Sequence, residues 1–519
     1  MLILSILMEL TSFMGFSVIT KDKLNLRTYF IPFLYFTSLS SFVYILALAN
    51  QMLVGVYLFH LIFAILCAGY LIKKRGTFLE LREYIIFFLI AILIIIYLYN
   101  KKFIHYDDFS HWGLISKFIL ENDRINGSYD KIISFKSYPQ MSVYFIYGLV
   151  RPLGFRENLA LIANAFAILS GYYVIFEKAR NNKFLYPVLF IFISYIFMNS
   201  PQITTLLVDT LLATSGFAIL AYATTYDFSE EKKYLYACIP MIISLTLLKN
   251  SAIFFVLILL IYLYKRYAKI DKVIPAIGTL AFLFAKVSWN LHLKLNFTNL
   301  GKHNMSLKNY SEILFEKDTS IIIQISRKFL ESFLSERFVL ILLVILIVSY
   351  FINKRDKKIK KIFIFVLTTY FFYQVGNYLM YIFSMPTSEA LDIAGYPRYV
   401  LTIRIYLVLI SFYWLEFEND MLTAFAISIF MLYSSMGTIK NIIEDVNIAP
   451  RLEKRKRLEE LQVANFKDKN ILIKMKEADS SYYYSFMAKY LYQTDKISIT
   501  YPGDDKNFNE EDFDYVVEE

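Results

Sequence analysis

The chain has 519 residues, of which 57% are hydrophobic and 18% aromatic, and its mean hydropathy of +0.48 excludes an ordinary soluble domain. The net charge of +10 comes from lysines and arginines grouped between apolar runs. That placement argues against nucleic-acid binding and favours control of orientation in a lipid bilayer. Cys67 and Cys238 both fall inside apolar runs, so neither a disulfide framework nor a thiolate metal site is expected.

Apolar runs long enough to span a membrane recur along the chain, each of roughly 16 to 23 residues. We therefore predict an all-α polytopic membrane protein with about 14 transmembrane helices. The first run lacks a basic start and a small-residue cleavage site, so we expect it to be retained as a span. The runs lie near 1–19, 29–49, 52–72, 84–99, 158–177, 183–199, 206–225, 233–249, 251–266, 272–290, 337–353, 362–384, 401–416 and 420–438.

Basic segments between these runs predict the direction of the helices. Positive segments stay on the cytoplasmic side, and five of them fall on one side of an alternating topology. They are 21–27, 73–76, 177–183, 265–272 and 354–361. The opposite, extracytoplasmic side then holds the outer loops 100–158 and 291–337 and the C-terminal tail. We accordingly expect a multi-pass protein of the cell membrane, with residues 1–439 forming the membrane domain.

Short amphipathic helices are predicted in both outer loops. In 100–158, the sequence HYDDFSHWGLISK predicts a helix on the membrane surface that carries Asp107 and Asp108 in its first turn. A second short helix is expected after Pro139, and another in 291–337. The tail 440–519 has the order helix, strand, helix, strand, strand, which predicts a small extracytoplasmic α/β appendage.

The acidic pair is the first candidate site, because carboxylates next to a membrane helix are costly unless they face water or a polar partner. His105 and His111 flank Asp107 and Asp108, but no metal-ligand spacing of known geometry is present. We therefore predict no cofactor, leaving a divalent cation open. His60, inside a span, is interpreted as an interior histidine.

Asp209 and Lys249 are polar residues near the outer ends of predicted spans. Asp209 is expected about two turns inside a span that starts at Pro201, either lining the same outer cavity as the acidic pair or pairing with a neighbouring helix. A lysine is disfavoured on this side, so Lys249 suggests an anionic partner, either a phosphate or Asp209. The alternative is that Lys249 reaches the lipid headgroups.

Arg398, in the sequence GYPRYVLTIR, is the candidate for binding phosphate. Its guanidinium can grip a phosphate through two hydrogen bonds, with Tyr396 and Tyr399 beside it as aromatic walls. Tyrosine and arginine are also common at membrane interfaces, so this motif alone decides little. Arg404 lies deeper in the same run, and we expect it to pair with an acid such as Asp392.

Together these residues favour transfer of a sugar from a lipid phosphate. An aspartate at the mouth of a cavity can take the proton of an attacking hydroxyl, and Arg398 with Lys249 can stabilise the phosphate that leaves. No nucleotide-binding loop is visible in the sequence, and ATP is absent outside the cytoplasm. The predicted partners are therefore a polyprenyl-phosphate-linked sugar, an envelope glycopolymer acceptor and the lipid bilayer, without nucleic acid.

The segments YDDFSHWGLISKFI, SYPQMSVYFIY, LLVDTLLA, LLKN and YPRYVL resemble the GT-C superfamily of membrane glycosyltransferases, which includes protein O-mannosyltransferases and lipid A aminoarabinose transferases. They are most similar to a bacterial envelope branch of that superfamily. The resemblance implies that Asp107 is the general base, that Asp108 orients a substrate and that Arg398 binds the lipid phosphate. Gln140 stands where the superfamily usually has a second proline. We assign substrate binding to His111, Trp112, Tyr138, Asp209, Lys249, Tyr396 and Arg398.

Two other classes remain open at this point. A polysaccharide polymerase or ligase would also have many spans and outer arginines, but would carry them in a large late loop and need no early acidic pair. A flippase or transporter would be expected to carry ionisable residues near the middle of several helices, together with inverted repeats. The crowding of charges at one side therefore favours the glycosyltransferase.

Overall fold

A computed structural model describes most of the chain. Its described residues are 2–73, 84–181, 184–297, 307–353, 355–416, 420–443, 448–476, 483–503 and 508–519. Residues 74–76 of one predicted basic segment, residues 298–306 of the second outer loop and residues 444–447 of the tail lie outside this description. Within the described residues the protein is mostly helical and carries one small sheet.

The described helices fall into two runs, separated by the short connection that precedes α11. The first run is α1 (Leu2–Leu24), α2 (Ile31–Leu48), α3 (Met52–Lys73), α4 (Ile85–Leu98), α5 (Gly113–Asn122), α6 (Met141–Val150), α7 (Glu157–Tyr173), α8 (Leu185–Ile203), α9 (Asp209–Thr225) and α10 (Lys232–Thr246). The second run is α11 (Ile253–Tyr267), α12 (Val273–Asn296), α13 (Leu307–Phe315), α14 (Thr319–Leu334), α15 (Phe338–Ile352), α16 (Lys357–Phe383), α17 (Thr387–Leu391), α18 (Tyr396–Trp414), α19 (Met421–Ile443), α20 (Ile448–Leu461) and α21 (Tyr483–Tyr492).

Seven helices among the described residues are long and apolar enough to cross a membrane. Helices α14 and α15 meet at 43° and add an eighth span if the bent pair is counted as one. Shorter apolar helices are also present, and these include α4, α6 and most of α8. The chain is therefore a membrane-embedded helical protein, while the count of about 14 spans stays a prediction.

Helix α9 lies at the centre of the bundle. It packs against α7, α10, α11 and α18, and nearly all of its side chains from Asp209 to Ala223 are buried. A helix that is apolar on every side has to be enclosed by other helices. Gly171 of α7 permits one of these close approaches, because a Cβ atom there would come within 3.0 Å of the backbone of Thr214. The first residue of this central helix is the candidate site residue Asp209.

The C-terminal tail forms a three-stranded parallel sheet with one crossover helix. The strands are β1 (Ile471–Lys474), β2 (Ile497–Thr500) and β3 (Tyr515–Glu518). Strand β1 is central, and its first residue Ile471 pairs with Ile497 on one side and with Tyr515 on the other. Helix α21 connects β1 to β2, as parallel neighbours require. The predicted order of strand, helix, strand and strand is confirmed.

Candidate functional site

The acidic pair lies in a buried turn of π-helix, Asp108–Trp112, which continues directly into α5. The prediction of a short helix here is confirmed, and its place on the membrane surface stays a prediction. The polar side chains of Ser110 and Ser116 are fully buried. Phe109 packs against Tyr483 and Tyr490 of α21, with ring centroids 5.8 and 5.4 Å away. The C-terminal unit, which consists of α20, α21 and the three-stranded sheet, therefore packs directly against this turn.

Asp107 is held between a guanidinium and an imidazole. Its Oδ2 accepts a hydrogen bond of 2.5 Å from Arg398, and the Nε2 of His111 lies 3.9 Å from the same oxygen. Burial by itself would raise the pKa of Asp107. The combined effect of His111 and Arg398 is larger and opposite, and it lowers this pKa to about 2. Burial lowers the pKa of His111 to about 4. At neutral pH the site therefore contains an ionised Asp107 beside an uncharged imidazole.

Asp108 has the opposite environment. Its side chain is fully buried, and its Oδ1 accepts a hydrogen bond of 2.8 Å from the backbone N–H of Leu206. Its Oδ2 has no hydrogen-bond partner among the described residues. Burial raises the pKa of Asp108 well above its usual range. Two adjacent carboxyl groups thus differ in ionisation, which is how neighbouring acids acquire separate roles.

Asp209 is the first residue of α9 rather than a residue two turns inside a span. Helix α8 ends at Ile203, and the chain is non-helical for the five residues that precede α9. The interruption is stabilised by Gln202, whose Oε1 accepts the backbone N–H of Thr210 at 3.0 Å. Hydropathy separates the two runs, 183–199 and 206–225, but the apolar residues 206–208 hide that α9 begins only at Asp209. A carboxylate in the first turn of a helix is favoured by the helix dipole.

Lys249 provides the partner that Asp209 needs. The Nζ of Lys249 donates to Oδ1 of Asp209 at 2.7 Å and lies 5.0 Å from the centre of the Tyr399 ring. The pairing of these two residues, one of the predicted alternatives, is confirmed. Lys249 occupies an extended position between α10 and a short 3-10 turn, which lets its side chain reach across to α9.

The four charged residues form one network, because Arg398 interacts electrostatically with both Asp107 and Asp209. The two cationic side chains are more exposed to solvent than the two carboxylates. Side chains of Arg398 and Lys249 are 33% and 24% exposed, whereas those of Asp107 and Asp209 are 12% and 3% exposed. The cations are therefore the accessible part of the network. We call Asp107, Asp209, Lys249 and Arg398 the charge cluster.

Aromatic rings line one side of the charge cluster. Trp112 stacks on Tyr138 at a centroid distance of 6.2 Å, and Tyr138 stacks on Phe135 at 5.5 Å. The imidazole of His111 lies 4.5 Å from the ring of Phe135, and Ser110 Oγ fixes its Nδ1 at 2.6 Å. The structure thus brings the predicted residues His111, Trp112 and Tyr138 together with Asp107. Phe135 was not predicted, since it lies in a turn-rich stretch without periodicity.

Arg398 is positioned by the start of α18. Gly395, the residue before this helix, has φ +76°, a conformation that glycine adopts without strain. Tyr396 does not join the charge cluster. Its ring packs 5.5 Å from Phe329 in a separate apolar cluster, while Tyr399 takes the place beside Lys249. The assignment of Tyr396 to substrate binding therefore has no support in the geometry, because successive helix residues point in different directions.

Two other polar residues have structural partners. Arg404 pairs with Glu336 at the bend between α14 and α15, with a 3.0 Å bond from its Nε. The expected pairing with Asp392 is wrong, since Asp392 contacts Lys328 at 3.2 Å instead. His60 is an interior histidine, as predicted, and its Nε2 lies 2.9 Å from the carbonyl oxygen of Gly148.

A buried polar junction joins the C-terminal unit to the segment between α4 and α5 that carries Asp107 and Asp108, which we call the acidic loop. Glu157, at the start of α7, accepts hydrogen bonds from Arg455 at 2.7 and 2.8 Å and from the Tyr490 hydroxyl at 2.8 Å. It also accepts the backbone N–H of Phe103 at 2.8 Å. Nearby, the Tyr483 hydroxyl donates to the carbonyl oxygen of Ile104 at 2.6 Å. The C-terminal unit and the acidic loop therefore lie on the same side of the bundle.

The described residues contain no group of three or more histidine, cysteine or carboxylate side chains arranged to hold a metal ion. His105 instead accepts the backbone N–H of Asp107 at 3.1 Å. No protein family, curated protein or solved structure matches this chain. What the site can do chemically follows from its geometry: it holds an ionised carboxylate, accessible cations and an aromatic wall in contact with one another.

Proposed function

We propose that this protein is an integral membrane glycosyltransferase. It moves a sugar from a polyprenyl-phosphate donor to a hydroxyl group of an envelope or cell-wall polymer on the extracytoplasmic face. One observation carries the proposal. The guanidinium of Arg398, suited to phosphate, is in direct contact with the carboxylate of Asp107, suited to accept a proton.

The reaction that fits this arrangement is a single displacement with inversion. The acceptor oxygen forms a bond to the anomeric carbon, and the bond from that carbon to the phosphate oxygen breaks. Asp107 takes the acceptor's proton, while the electron pair of the broken bond stays on the polyprenyl phosphate. This leaving group gains a negative charge, which Arg398 and Lys249 stabilise from the accessible side of the charge cluster.

The contact between Arg398 and Asp107 has a consequence for the order of events. A carboxylate with a pKa of about 2 is a weak base, because its charge is already satisfied. A phosphodiester that binds Arg398 competes with Asp107 for the same guanidinium. Donor binding then raises the proton affinity of Asp107 at the moment when a base is needed. The cluster thereby links activation of the base to the presence of the donor.

The aromatic wall and the second acid support substrate placement. Trp112, Phe135 and Tyr138 offer stacked faces against which the apolar face of a sugar ring or an isoprenoid can pack. Asp108, buried and tied to Leu206, fixes the acidic loop against the connection between α8 and α9. We therefore assign Asp108 a positioning role and Asp107 the catalytic role.

Comparison of cells with and without the gene tests the class of reaction. We expect the deletion strain to lose one glycosyl substituent from an envelope polymer and to accumulate a polyprenyl-phosphate monosaccharide, since the donor is no longer consumed. Mass spectrometry of extracted lipids and of purified polymers measures both. A change in polymer length with all substituents retained would instead indicate a polymerase or ligase. Lipid-linked oligosaccharides trapped in the cytoplasmic leaflet would indicate a flippase.

A further inference from the structure

A cavity lined by charged and aromatic residues lies at the opposite ends of α9 and α18, two of the helices that carry the charge cluster. Its volume is about 690 Å³, within the range of small-ligand sites. Thr225, at the last position of α9, lines it, whereas Asp209 is the first residue of that helix. Seventeen helical residues separate the two sites by about 25 Å. The end of α18 that is remote from the charge cluster also reaches this cavity, as does the 3-10 helix Val174–Asn181 that follows α7.

The cavity has an excess of positive charge. Four cations and two carboxylates line it. The carboxylates are already paired: Glu177 with Arg27 at 2.7 Å and Glu416 with Lys358 at 2.6 Å. This leaves Lys178 and Lys361, which have no carboxylate in ion-pair contact within the described part of the chain.

Other contacts hold the side chain of Lys178 in place, although no carboxylate among the described residues forms an ion pair with it. Its Nζ donates to the carbonyl oxygen of Leu415 at 2.9 Å and lies 5.1 Å from the centre of the Tyr413 ring. Tyr413 is fixed in turn by a 2.7 Å hydrogen bond between its hydroxyl and Thr225. Glu177 and Glu416 attract this half-buried ammonium group only from beyond ion-pair distance, so an anionic ligand in direct contact would stabilise it further.

The remaining walls are aromatic. Tyr262, Phe365 and Trp414 line the cavity with Tyr413, and the rings of Phe365 and Trp414 pack edge to face at 4.7 Å. Two cations next to tyrosine and tryptophan rings, at the ends of membrane helices, match the chemistry of a phosphate ester whose organic part rests on an apolar wall.

We infer that this cavity binds a phosphate ester at the membrane surface remote from the charge cluster, with Lys178 and Lys361 contacting the phosphate. A lipid headgroup and a soluble phosphate ester share this chemistry. The inference does not depend on the proposed transferase, because the residues of the two sites are separate. Asp107→Asn is expected to leave binding at this cavity unchanged.

Fluorescence titration of the purified full chain in a maltoside detergent tests the inference. The probes are dihexanoyl phosphatidic acid and glycerol 3-phosphate. Trp414 lines the cavity, so binding should alter an emission signal that disappears in Trp414→Phe. Replacing both lysines, as Lys178→Gln with Lys361→Gln, should weaken binding by about tenfold or more, since each removes a charged hydrogen bond. The matched control is Lys265→Gln, an exposed lysine of α11 outside the cavity.

The outcomes separate clearly. Saturable binding of phosphatidic acid alone identifies a lipid headgroup, and equal binding of both probes identifies the phosphate ester itself. Unchanged affinity in the double variant, or an equal loss in Lys265→Gln, overturns the inference. Lys361→Gln alone keeps the test valid if the double variant unfolds, because Lys361 is exposed. In that case wild-type affinity in Lys361→Gln overturns the assignment of Lys361 to the phosphate.

Discussion

Two neighbouring aspartates with opposite surroundings define the site at the scale of single residues. Asp107 contacts Arg398, whereas Asp108 is buried against the backbone of Leu206. The π-helical turn accounts for the difference, because it directs adjacent side chains to different neighbours, and such turns recur at functional sites. One acid is therefore available for proton transfer and the other for positioning.

The guanidinium of Arg398 should matter for its shape as well as its charge. We expect Arg398→Lys to raise the KM for the lipid donor by about tenfold, because an ammonium group cannot make the paired hydrogen bonds of a guanidinium. Assays of sugar transfer with detergent-solubilised donor measure this change. Arg327→Gln, which alters an exposed arginine of α14 paired with Glu331, is the control and should leave KM unchanged. Equal KM values for Arg398→Lys and wild type would contradict donor binding by Arg398.

The pKa values of Asp107 and His111 predict the pH dependence of the free protein. Asp107, with a pKa of about 2, stays ionised until the pH falls through that value, and His111, with a pKa of about 4, is neutral above it. We therefore expect kcat/KM to be flat from about pH 5 to about pH 8, since kcat/KM reports groups of the free enzyme. The acid limb of kcat should lie at higher pH than that of kcat/KM, because bound donor takes Arg398 from Asp107. Coincident limbs would contradict donor-coupled activation of the base.

At the scale of elements, the site is built where helices begin. Asp209 starts α9, Arg398 lies in the first turn of α18 and Glu157 starts α7. Such ends present free N–H groups and a positive dipole, which favour the carboxylates placed there. The charge cluster thus depends on where each helix starts as much as on which residues it contains.

Gly395 sets the start of α18 and therefore the place of Arg398. We expect Gly395→Ala to cost about 1–2 kcal/mol, because an L-residue at φ +76° is strained. A Cβ atom there would also lie 3.2 Å from the Tyr399 side chain, the ring that contacts Lys249. Thermal unfolding in detergent and donor KM are the measurements. Gly376→Ala, in α16, where a Cβ atom would meet nothing within 4 Å, is the matched control.

The elements could be predicted more completely than their surroundings. Apolar periodicity located the acidic helix and the C-terminal strands, and the placement of charged residues near the ends of apolar runs located the charge cluster. The hydropathy pattern separated the runs 183–199 and 206–225, but it could not reveal that α9 begins only at Asp209, because the three residues before Asp209 are apolar. Nor could it pair Arg404 with Glu336 or remove Tyr396 from the site. Those outcomes depend on helix rotation and bending, which a one-dimensional pattern does not contain.

At the scale of the whole molecule, the C-terminal unit and the acidic loop form one structure. Helix α21 covers the π-helical turn, and Arg455 joins Tyr490 and the backbone of Phe103 at Glu157. No sequence pattern indicated this junction, because Glu157 and Arg455 are 298 positions apart and charged helices such as α20 are usually exposed. The tail is therefore a structural support for the acidic loop rather than a separate appendage.

Breaking the junction should release the tail. Arg455→Gln leaves the Glu157 carboxylate without its cation in a largely buried site, and we expect a loss of about 3 kcal/mol in the free energy of unfolding of this part. Lys102→Gln, which removes a surface pair with Glu459 at 3.1 Å, should cost less than about 1 kcal/mol. Limited proteolysis after residue 440 compares the two. Equal cleavage rates in both variants would contradict a supporting role for the junction.

The most direct test of the central claim concerns Asp107 itself. In a strain that lacks the gene, complementation with wild type, Asp107→Asn or Glu121→Gln is compared by measuring the polymer-linked sugar and the accumulated lipid donor. Glu121 is an exposed acid of the same segment and serves as the control. We expect Asp107→Asn, expressed and folded, to lower transfer by about 100-fold or more, as loss of a general base does, while Glu121→Gln restores it. Normal transfer by Asp107→Asn would contradict the assignment of Asp107 as the catalytic base.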